Sequence, residues 1–306
     1  MRFVQYINPS PVTLEKLVFQ GKSAKEQAAK IHGIIVADPK LEKEVKSQME
    51  RYKSEGLEIQ YLPTVAEKYL KRIPIEIAQK FKEYYEVVFQ NVQSLPSQPS
   101  QRILDGFAAT ILLILSSPFM LVIGLCILIE DGKPVVFRQE RVGKNGKIFI
   151  INKFRSLRQA EINPNNPNKD IEKRVLKVGK VIRKFRLDEL PQVFNIFKGE
   201  MSIVGPRPEM IEFHNLMSSQ IPFYNYRLKV NPGITGWAQI HYKHTSTLED
   251  YIKKTEYDLY YVKNRTIFLD IQIMLKTLET MIGMRGARWK SNIPIRKPSK
   301  PKFQRM

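Results

Sequence analysis

The chain has 306 residues, of which 43% are hydrophobic, so it has room for one large domain or two ordinary ones, and wholesale disorder is excluded. Its formal net charge is +20, but the first 100 residues hold 15 Lys and Arg against 12 Asp and Glu, whereas the remainder holds 35 against 18. We therefore expect a partner rich in negative charge, such as anionic lipid, a nucleotide diphosphate or nucleic acid, for the last two-thirds. The single cysteine excludes a disulfide framework, which is typical of a protein that faces the cytosol.

The first third predicts a small α/β unit. Residues 31–38 and 57–63 have the β-branched apolar pattern of buried strands, and a charged helical stretch at about 40–55 lies between them. This is the order of a βαβ unit, but it has no GxGxxG turn, so nothing indicates dinucleotide binding. The N-terminus lacks the pattern of a signal peptide. Helical periodicity resumes around 74–92, and the composition of 94–101 predicts a linker.

The most apolar part of the chain runs from Phe107 to Ile129, 23 residues without a charge. A straight helix of that length is about 35 Å long and would cross a hydrocarbon core of about 30 Å. Ser117 and Pro118 lie in its middle, where proline removes a backbone donor and bends a helix, and serine can satisfy a freed carbonyl. Such a segment either spans the membrane or enters it and returns to the same face.

Charges flank this segment on both sides. Arg102 and Asp105 precede it, where we expect them to anchor the helix at the interface and to pair with each other, and basic residues follow it. Because both ends are basic, the flanking charges do not distinguish an outer end from an inner one. Re-entry is the simpler interpretation, but the residues leave a spanning helix open.

The remainder predicts strands, a loop and helices. Residues 134–157 predict a β-hairpin around the turn-forming segment 143–146, residues 161–170 a polar loop, and 247–282 helical structure. A helix around 186–198 would carry an acid pair near its first turn, where the helix N-terminus stabilises negative charge.

That acid pair, Asp188 and Glu189, is the strongest chemical signal in the chain. A carboxylate can attack phosphorus or hold a metal when cations surround it. Arg207, held between two prolines, presents a guanidinium fork suited to phosphate with little backbone freedom. We predict that Lys153 and Arg155, at the end of the hairpin, and Arg183, before the acid pair, bind substrate phosphate as well. The residues thus predict phosphoryl transfer beside a membrane.

Five motifs in order then carry a family resemblance: RILD before an apolar run with Ser-Pro, FRQERVGKNGKIFIINKFRSL, LDELPQVFNIFKGEMSIVGPRPE, NPGITGWAQI, and YDLYYVKN followed by LDIQIMLKT. From about Arg102 to Gly286, the chain resembles the bacterial sugar transferase family. These are monotopic polyprenyl-phosphate phosphoglycosyl transferases that initiate exopolysaccharide, O-antigen and capsule synthesis.

The resemblance implies an α+β fold, in which a re-entrant, Pro-kinked membrane helix at about 103–129 precedes a small cytosolic α/β catalytic domain. It divides most of the chain into a partial Rossmann-like region of the CoA-binding type (1–95) and the phosphoglycosyl transferase domain (96–286), and the basic, proline-containing composition of 287–306 predicts a mobile tail. It also implies that Ser117 and Pro118 break the membrane helix and that both its ends stay cytosolic, on the bacterial inner membrane.

The resemblance further implies a two-step reaction. Asp188 attacks the sugar-linked phosphorus of a UDP-sugar, UMP leaves, and polyprenyl (undecaprenyl) phosphate then displaces the aspartate. Glu189 is implied as the ligand of Mg²⁺. The expected partners are the UDP-sugar, the polyprenyl phosphate and anionic lipids; a homodimer is compatible and nucleic acid is not expected. No motif identifies the sugar. The alternative is a membrane-tethered basic scaffold or nucleic-acid-binding protein without catalysis, although the cations cluster around acids and stiff turns rather than among stacking aromatics.

Overall fold

The computed structural model describes residues 33–37, 50, 53–54, 58–94, 99–158, 174–242 and 247–281. Strands and helices are mixed, as expected for an α+β protein. The strands are β1 (Gly33–Val36), β2 (Glu58–Tyr61), β3 (Val136–Val142), β4 (Ile148–Phe154), β5 (Ser202–Val204) and β6 (Gly233–Thr235). The α-helices are α1 (Leu62–Leu70), α2 (Ile75–Lys80), α3 (Lys82–Ser94), α4 (Pro99–Asp131), α5 (Lys177–Lys184), α6 (Val193–Phe197), α7 (Ile211–Gln220), α8 (Trp237–His241), α9 (Leu248–Asn264) and α10 (Ile267–Met281).

The first two strands pair in parallel, in register from Gly33 with Glu58 to Val36 with Tyr61. The second strand is shorter than predicted because Leu62 begins α1, with Pro63 in its first turn, where proline needs no hydrogen-bond donor. Most of the helix predicted at 40–55, the loop predicted at 161–170 and the tail predicted at 287–306 lie outside the described residues. The Rossmann-like character of this region stays a prediction.

Helices α1 to α3 share a hydrophobic core with the C-terminal half of the chain. Ile73, Phe81, Tyr85 and Phe89 are buried in one cluster with side chains from α7, α9 and α10. The ring of Phe89 stacks on that of Tyr226 at 4.7 Å between centroids. The boundary predicted at residue 95 stays a prediction, but the segment before it packs into the same core as the segment after it.

The longest helix, α4, has 33 residues and is about 50 Å long. It begins inside the predicted linker and continues through Pro118 as one uninterrupted helix. The structure therefore does not confirm the break predicted at Ser117 and Pro118, which stays a prediction. It is long and apolar enough to cross a membrane. One face packs on the rest of the protein and carries its buried side chains, which are Gln101, Asp105, Ala109, Ser116, Ile123 and Ile127. The other face exposes large apolar side chains, as a lipid-facing surface does.

The predicted hairpin is confirmed. Strands β3 and β4 pair antiparallel, from Val136 with Phe154 to Val142 with Ile148. The turn between them places Asn145 and Gly146 at positive φ, 55° and 79°, a region that asparagine and glycine enter more readily than other residues. One face of the hairpin buries Phe149 and Ile151 against Ala109 of α4 and Val193 and Ile196 of α6.

Candidate active site

The acid pair lies on a short 3₁₀ helix, Leu187–Gln192, rather than on the continuous helix predicted at 186–198. Two residues explain the difference. Arg186 adopts a left-handed conformation, with φ 55°, which turns the chain sharply after α5, and Pro191 has no backbone N–H to continue an α-helical ladder. The regular helix α6 starts only at Val193. Asp188 and Glu189 therefore project from a tight turn.

The buried amide of Asn195 fixes this turn beside the hairpin. Its Nδ2 donates to the carbonyl of Ile150 at 2.7 Å, and its Oδ1 accepts from the backbone N–H of Asn152 at 3.2 Å. Both bonded residues are on β4, next to Lys153. The amide thus fixes the position of Lys153 relative to the acid pair.

Glu189 is held between two cations. Its Oε1 accepts from Nη2 of Arg207 at 2.5 Å and lies 3.6 Å from Nζ of Lys153, and its Oε2 lies 3.5 Å from Nη1 of Arg207. Burial would raise the pKa of Glu189, but Arg207 and Lys153 outweigh it and leave the pKa below its usual range. Glu189 is therefore held as a carboxylate.

Asp188 has a different environment. Burial, followed by the charge of Glu189, raises the pKa of Asp188, while Lys153 and Arg183 oppose the rise. The two adjacent carboxylates thus differ: arginine and lysine contact Glu189 directly, whereas Asp188 receives cationic stabilisation from farther away. Of the two carboxylates, Asp188 is the one whose oxygen lone pairs are less engaged.

The turn that carries Arg207 is fixed by close backbone contacts. Gly205 N–H donates to Thr235 O at 2.9 Å, and Gly233 N–H donates to Pro206 O at 3.0 Å. A Cβ at Gly233 would lie 2.1 Å from the nitrogen of Gly205, so only glycine allows this approach. The two stiff turns found in the sequence, at 205–208 and 232–233, therefore lie against each other.

A buried ion-pair network supports the same turn from behind. Arg227 donates through Nη2 to the carbonyl of Arg207 at 2.9 Å and to Oδ2 of Asp258 at 2.9 Å. Its Nη1 lies 3.9 Å from Oε1 of Glu209, which is also paired with Lys254. Arg227 and Asp258 are only 3% and 2% exposed. Sequence reasoning missed these residues, because their pattern alone resembles that of any charged helix.

The predicted phosphate-binding cations do not all meet at the acid pair. Lys153 and Arg207 contact Glu189, and Arg183, in the last turn of α5, is near enough to lower the pKa of Asp188. Arg155 instead binds the end of α4: it pairs with Asp131 at 3.1 Å and donates to the carbonyls of Asp131 and Gly132 at 2.8 and 2.7 Å. Its role in phosphate binding stays a prediction.

The residues at the start of α4 bind backbone groups. Arg102 donates to the carbonyls of Ile196 and Phe197, at the end of α6, at 2.6 and 2.9 Å. Asp105 accepts from the backbone N–H of Ile203 on β5 at 2.8 Å. Each therefore ties α4 to the segment around the active site, where the sequence predicted an ion pair between the two.

The structure adds Arg141 to the cation cluster. On β3, this residue donates to Pro208 O at 3.3 Å and to Gln139 Oε1 at 2.6 Å. Burial, with the charge of Arg207 close by, lowers its pKa. Strand periodicity could have found it, because Phe137 is paired with Lys153 and Arg141 lies four residues further along the same face.

The side chains of the site have the chemistry to bind a hard cation through carboxylate oxygens and phosphate through arginine and lysine. Within the described part of the chain, no group of three or more His, Cys, Asp or Glu side chains is arranged for a metal. Mg²⁺ does not require such a group, since it is commonly held by one or two carboxylates together with substrate phosphates and water. Glu189 supplies a suitable carboxylate. A metal bound to it would take the place that Arg207 or Lys153 occupies in this structure.

Similarity to known proteins agrees with this chemistry. The chain is 46% identical over 189 residues to the UDP-N-acetylgalactosamine-undecaprenyl-phosphate N-acetylgalactosaminephosphotransferase of Aeromonas hydrophila, covering 61% of this chain and 45% of that protein. It is 43% identical over 185 residues to a UDP-glucose:undecaprenyl-phosphate glucose-1-phosphate transferase of Klebsiella pneumoniae, covering 58% and 39%. It is 36% identical over 197 residues to the uncharacterized sugar transferase EpsL of Bacillus subtilis, covering 63% and 92%.

The chain thus spans less than half the length of the Aeromonas and Klebsiella proteins, and nearly the whole length of the Bacillus protein. The model of the family described as bacterial sugar transferase matches residues 97–284, which include α4, the hairpin, the acid pair and both stiff turns. The chain belongs to the bacterial sugar transferase family.

Proposed function

We propose that this protein transfers a sugar 1-phosphate from a UDP-sugar to polyprenyl phosphate, giving polyprenyl-diphospho-sugar and UMP, as the first step of surface polysaccharide or glycoconjugate assembly. The observation that carries the proposal is the position of Asp188 and Glu189 inside a cluster of cations on stiff backbone. The names of the Aeromonas and Klebsiella relatives, both sugar-phosphate transferases that use undecaprenyl phosphate, support it.

We propose two displacements at one phosphorus. A carboxylate oxygen of Asp188 forms a bond to the sugar-linked phosphorus, and the bond from that phosphorus to the UMP oxygen breaks, so UMP leaves with the electron pair. A phosphate oxygen of the polyprenyl phosphate then attacks the same phosphorus, and the bond to Asp188 breaks and restores the carboxylate. Lys153, Arg207 and Arg141 stabilise the charge on the phosphate oxygens.

We propose that Glu189 is the residue that would hold Mg²⁺. When bound, the metal neutralises negative charge on the diphosphate. Arg207, which pairs with Glu189 through one edge of its guanidinium, would bind the substrate phosphate. In the state without substrate, the same pairing keeps the guanidinium of Arg207 in place.

We also propose that the protein is attached to one face of the membrane, the cytosolic face of the bacterial inner membrane. The two ends of α4 pack on the same body: Asp105 binds β5, and Glu130 accepts from the backbone N–H groups of Lys177 and Val178 at 2.7 and 3.0 Å. Between these ends, five large apolar side chains are between 58% and 67% exposed; they are Ile114, Leu115, Phe119, Leu121 and Val122. These contacts support a helix whose two ends stay on the same side of the membrane, and we propose that Ser117 and Pro118 break it within the bilayer.

The reaction is tested by incubating the full chain, in membranes or detergent, with undecaprenyl phosphate and a panel of UDP-sugars, and measuring UMP release. We expect one UDP-sugar to release UMP with wild type, Asp188→Asn to release none, and Glu212→Gln, an exposed carboxylate on α7, to behave as wild type. Radiolabelled sugar phosphate should stay on wild type when the acceptor is omitted, but not on Asp188→Asn. Near-normal release by Asp188→Asn would overturn the proposed mechanism. DNA binding with a steep salt dependence and no UMP release would favour the basic-scaffold alternative.

The topology is tested with single cysteines, since Cys126 is the chain's one natural cysteine. In a Cys126→Ser background, Ser100→Cys and Lys133→Cys place one exposed thiol near each end of α4. A membrane-impermeant maleimide should label both from the cytosolic side of vesicles. Labelling of the two thiols from opposite sides would show that the helix crosses the membrane.

A further inference from the structure

Helices α1 to α3 lie before the region that matches the family model, which starts at residue 97, yet they are bound to one helix of the catalytic region, α9. Arg72 forms an ion pair with Glu256 of α9. Ile73 N–H donates to the carbonyl of Glu256 at 3.0 Å, and Ile75 N–H, at the start of α2, donates to Oε1 of Glu256 at 3.1 Å. One buried glutamate thus binds the segment 62–94 through a charge and two backbone groups.

Further contacts bind the same segment along the same face of α9. Lys263, one heptad after Glu256, pairs with Glu67 at 2.6 Å, and Tyr85 OH donates to the same carboxylate at 2.8 Å. Outside α9, Trp237 Nε1 at the start of α8 also donates to the carbonyl of Lys71, at 2.8 Å. In the segment 62–94, the charged groups of Glu67 and Arg72 and the hydroxyl of Tyr85 therefore all have partners within this interface.

The opposite face of α9 supports the active-site turn. Asp258 holds Arg227, which donates to the carbonyl of Arg207, and Lys254 pairs with Glu209. Lys254 and Asp258 are four residues apart and share a helix face, whereas Glu256 projects about 200° away from Asp258 around the helix axis. Helix α9 therefore lies between the segment 62–94 and the turn that carries Arg207.

We propose that Glu256 is a positioning residue, through which the segment 62–94 fixes α9 and so keeps Asp258 and Arg227 aligned with the carbonyl of Arg207. The role rests on the proposed function, in which Arg207 binds substrate phosphate. It gives the segment 62–94 an indirect part, through α9, in holding the turn that carries Arg207.

The test uses full-length variants. Arg72→Met removes the one charge partner that the segment 62–94 gives Glu256, leaving Lys253 of α9 and the acceptor for Ile75 N–H in place, and Glu256→Gln removes the charge itself. We expect each to lower kcat/KM for the UDP-sugar by about 2-fold to 30-fold. The matched control is Lys82→Met, which breaks an exposed ion pair with Glu86 in the same segment and should change kcat/KM by less than about 2-fold.

A double-mutant cycle separates positioning from a general loss of structure. In an Arg207→Lys background, where the guanidinium fork is already lost, Arg72→Met should cause little further loss. If Arg72→Met lowers kcat/KM by the same factor in the Arg207→Lys background as in wild type, the segment does not act through Arg207 and the proposal is wrong.

A second measurement does not depend on activity. Amide hydrogen exchange in residues 203–210 and 224–230 should be faster in Arg72→Met than in wild type, and unchanged in Lys82→Met. Unchanged exchange in Arg72→Met would overturn the proposal even if UMP release confirms the reaction. A wild type without UMP release would reject the proposed function, and hydrogen exchange would still decide whether the segment holds the turn.

Discussion

Two charged clusters meet at the turn of residues 205–208, and they use the same residue types for different purposes. The front cluster consists of Asp188, Glu189, Lys153 and Arg207; the rear cluster consists of Arg227, Asp258, Glu209 and Lys254. In the front cluster Arg207 is 32% and Lys153 18% exposed, and Asp188 keeps lone pairs available. In the rear cluster Arg227 and Asp258 are almost completely buried, and Arg227 donates to a carbonyl, a carboxylate and the hydroxyl of Tyr224.

This difference in burial and in the completeness of pairing decides what a charge can do. A fully paired, buried arginine has no donor left for a substrate, so it contributes to structure. A partly exposed arginine held by one carboxylate can exchange that partner for a phosphate oxygen or yield it to a metal. The comparison predicts that variants of the rear cluster lose stability, whereas variants of the front cluster lose activity.

The largest effect on stability is expected for Asp258→Ala. It leaves the buried guanidinium of Arg227 without its main partner, so the free energy of unfolding should fall by about 3–5 kcal/mol. Urea or thermal unfolding in detergent measures this, with Glu189→Gln of the front cluster as the matched comparison. A loss below about 1 kcal/mol for Asp258→Ala would contradict the structural role of the rear cluster.

The largest effect on activity apart from that of Asp188→Asn is expected for Arg207→Lys. An ammonium cannot reproduce the two-pronged contact of a guanidinium with a phosphate, so kcat/KM should fall by about 10-fold to 100-fold. Thermal unfolding should stay close to that of wild type. Arg138→Lys, which alters an arginine on the opposite face of the hairpin, is the control and should keep full activity. An active Arg207→Lys would remove Arg207 from the phosphate site.

Asp270 tests what burial does to a carboxylate that contacts a hydroxyl and an amide rather than a cation. Burial raises the pKa of Asp270 to about 6, although Tyr261 OH at 2.7 Å and Gln101 Nε2 at 2.9 Å donate to it. In Glu209 of the rear cluster, burial is outweighed by Lys254 and Arg227, and the pKa is lowered. Of these two acids, Glu209 is therefore the one that stays easily ionised.

The sign of the pH effect follows from this shift. Between the unfolded pKa of about 4 and the folded value, the folded state binds the proton that the unfolded state has lost, so stability falls as pH rises. Through this one group, the free energy of unfolding should rise by about 1 kcal/mol from pH 7 to pH 5. The pH dependence of unfolding should be flatter in Asp270→Asn, and an equal slope in both proteins would refute the assignment.

The smallest effect we predict is on the pH profile of Lys153→Met. Because the ammonium of Lys153 lowers the pKa of Asp188, its removal should raise that pKa and shift the acid limb of UMP release to higher pH. Lys147→Met, an exposed lysine outside the two clusters, should leave the limb in place. A shift toward lower pH in Lys153→Met would contradict Asp188 as the ionised nucleophile.

Several elements could be predicted because their causes are local. The hairpin follows from alternating residues around a Gly-Lys-Asn-Gly turn, and the long apolar helix follows from its composition. The acid pair and the Pro-Arg-Pro turn stand out as residues. The break between the 3₁₀ helix and α6 was missed because proline at 191 and the left-handed Arg186 act together over one turn.

What the sequence determined by itself is therefore the kind of chemistry and its setting: two adjacent acids, a rigid arginine, a cationic surplus and an apolar segment of membrane length. The tertiary structure decided where each charged side chain lies and which partner it contacts. It directed Arg155 to the end of α4, brought Arg141 to the turn that carries Arg207, and placed α9 between the segment 62–94 and that turn. Long-range pairing of charges depends on which buried partners the fold brings within about 4 Å, and no local pattern in the chain contains that information.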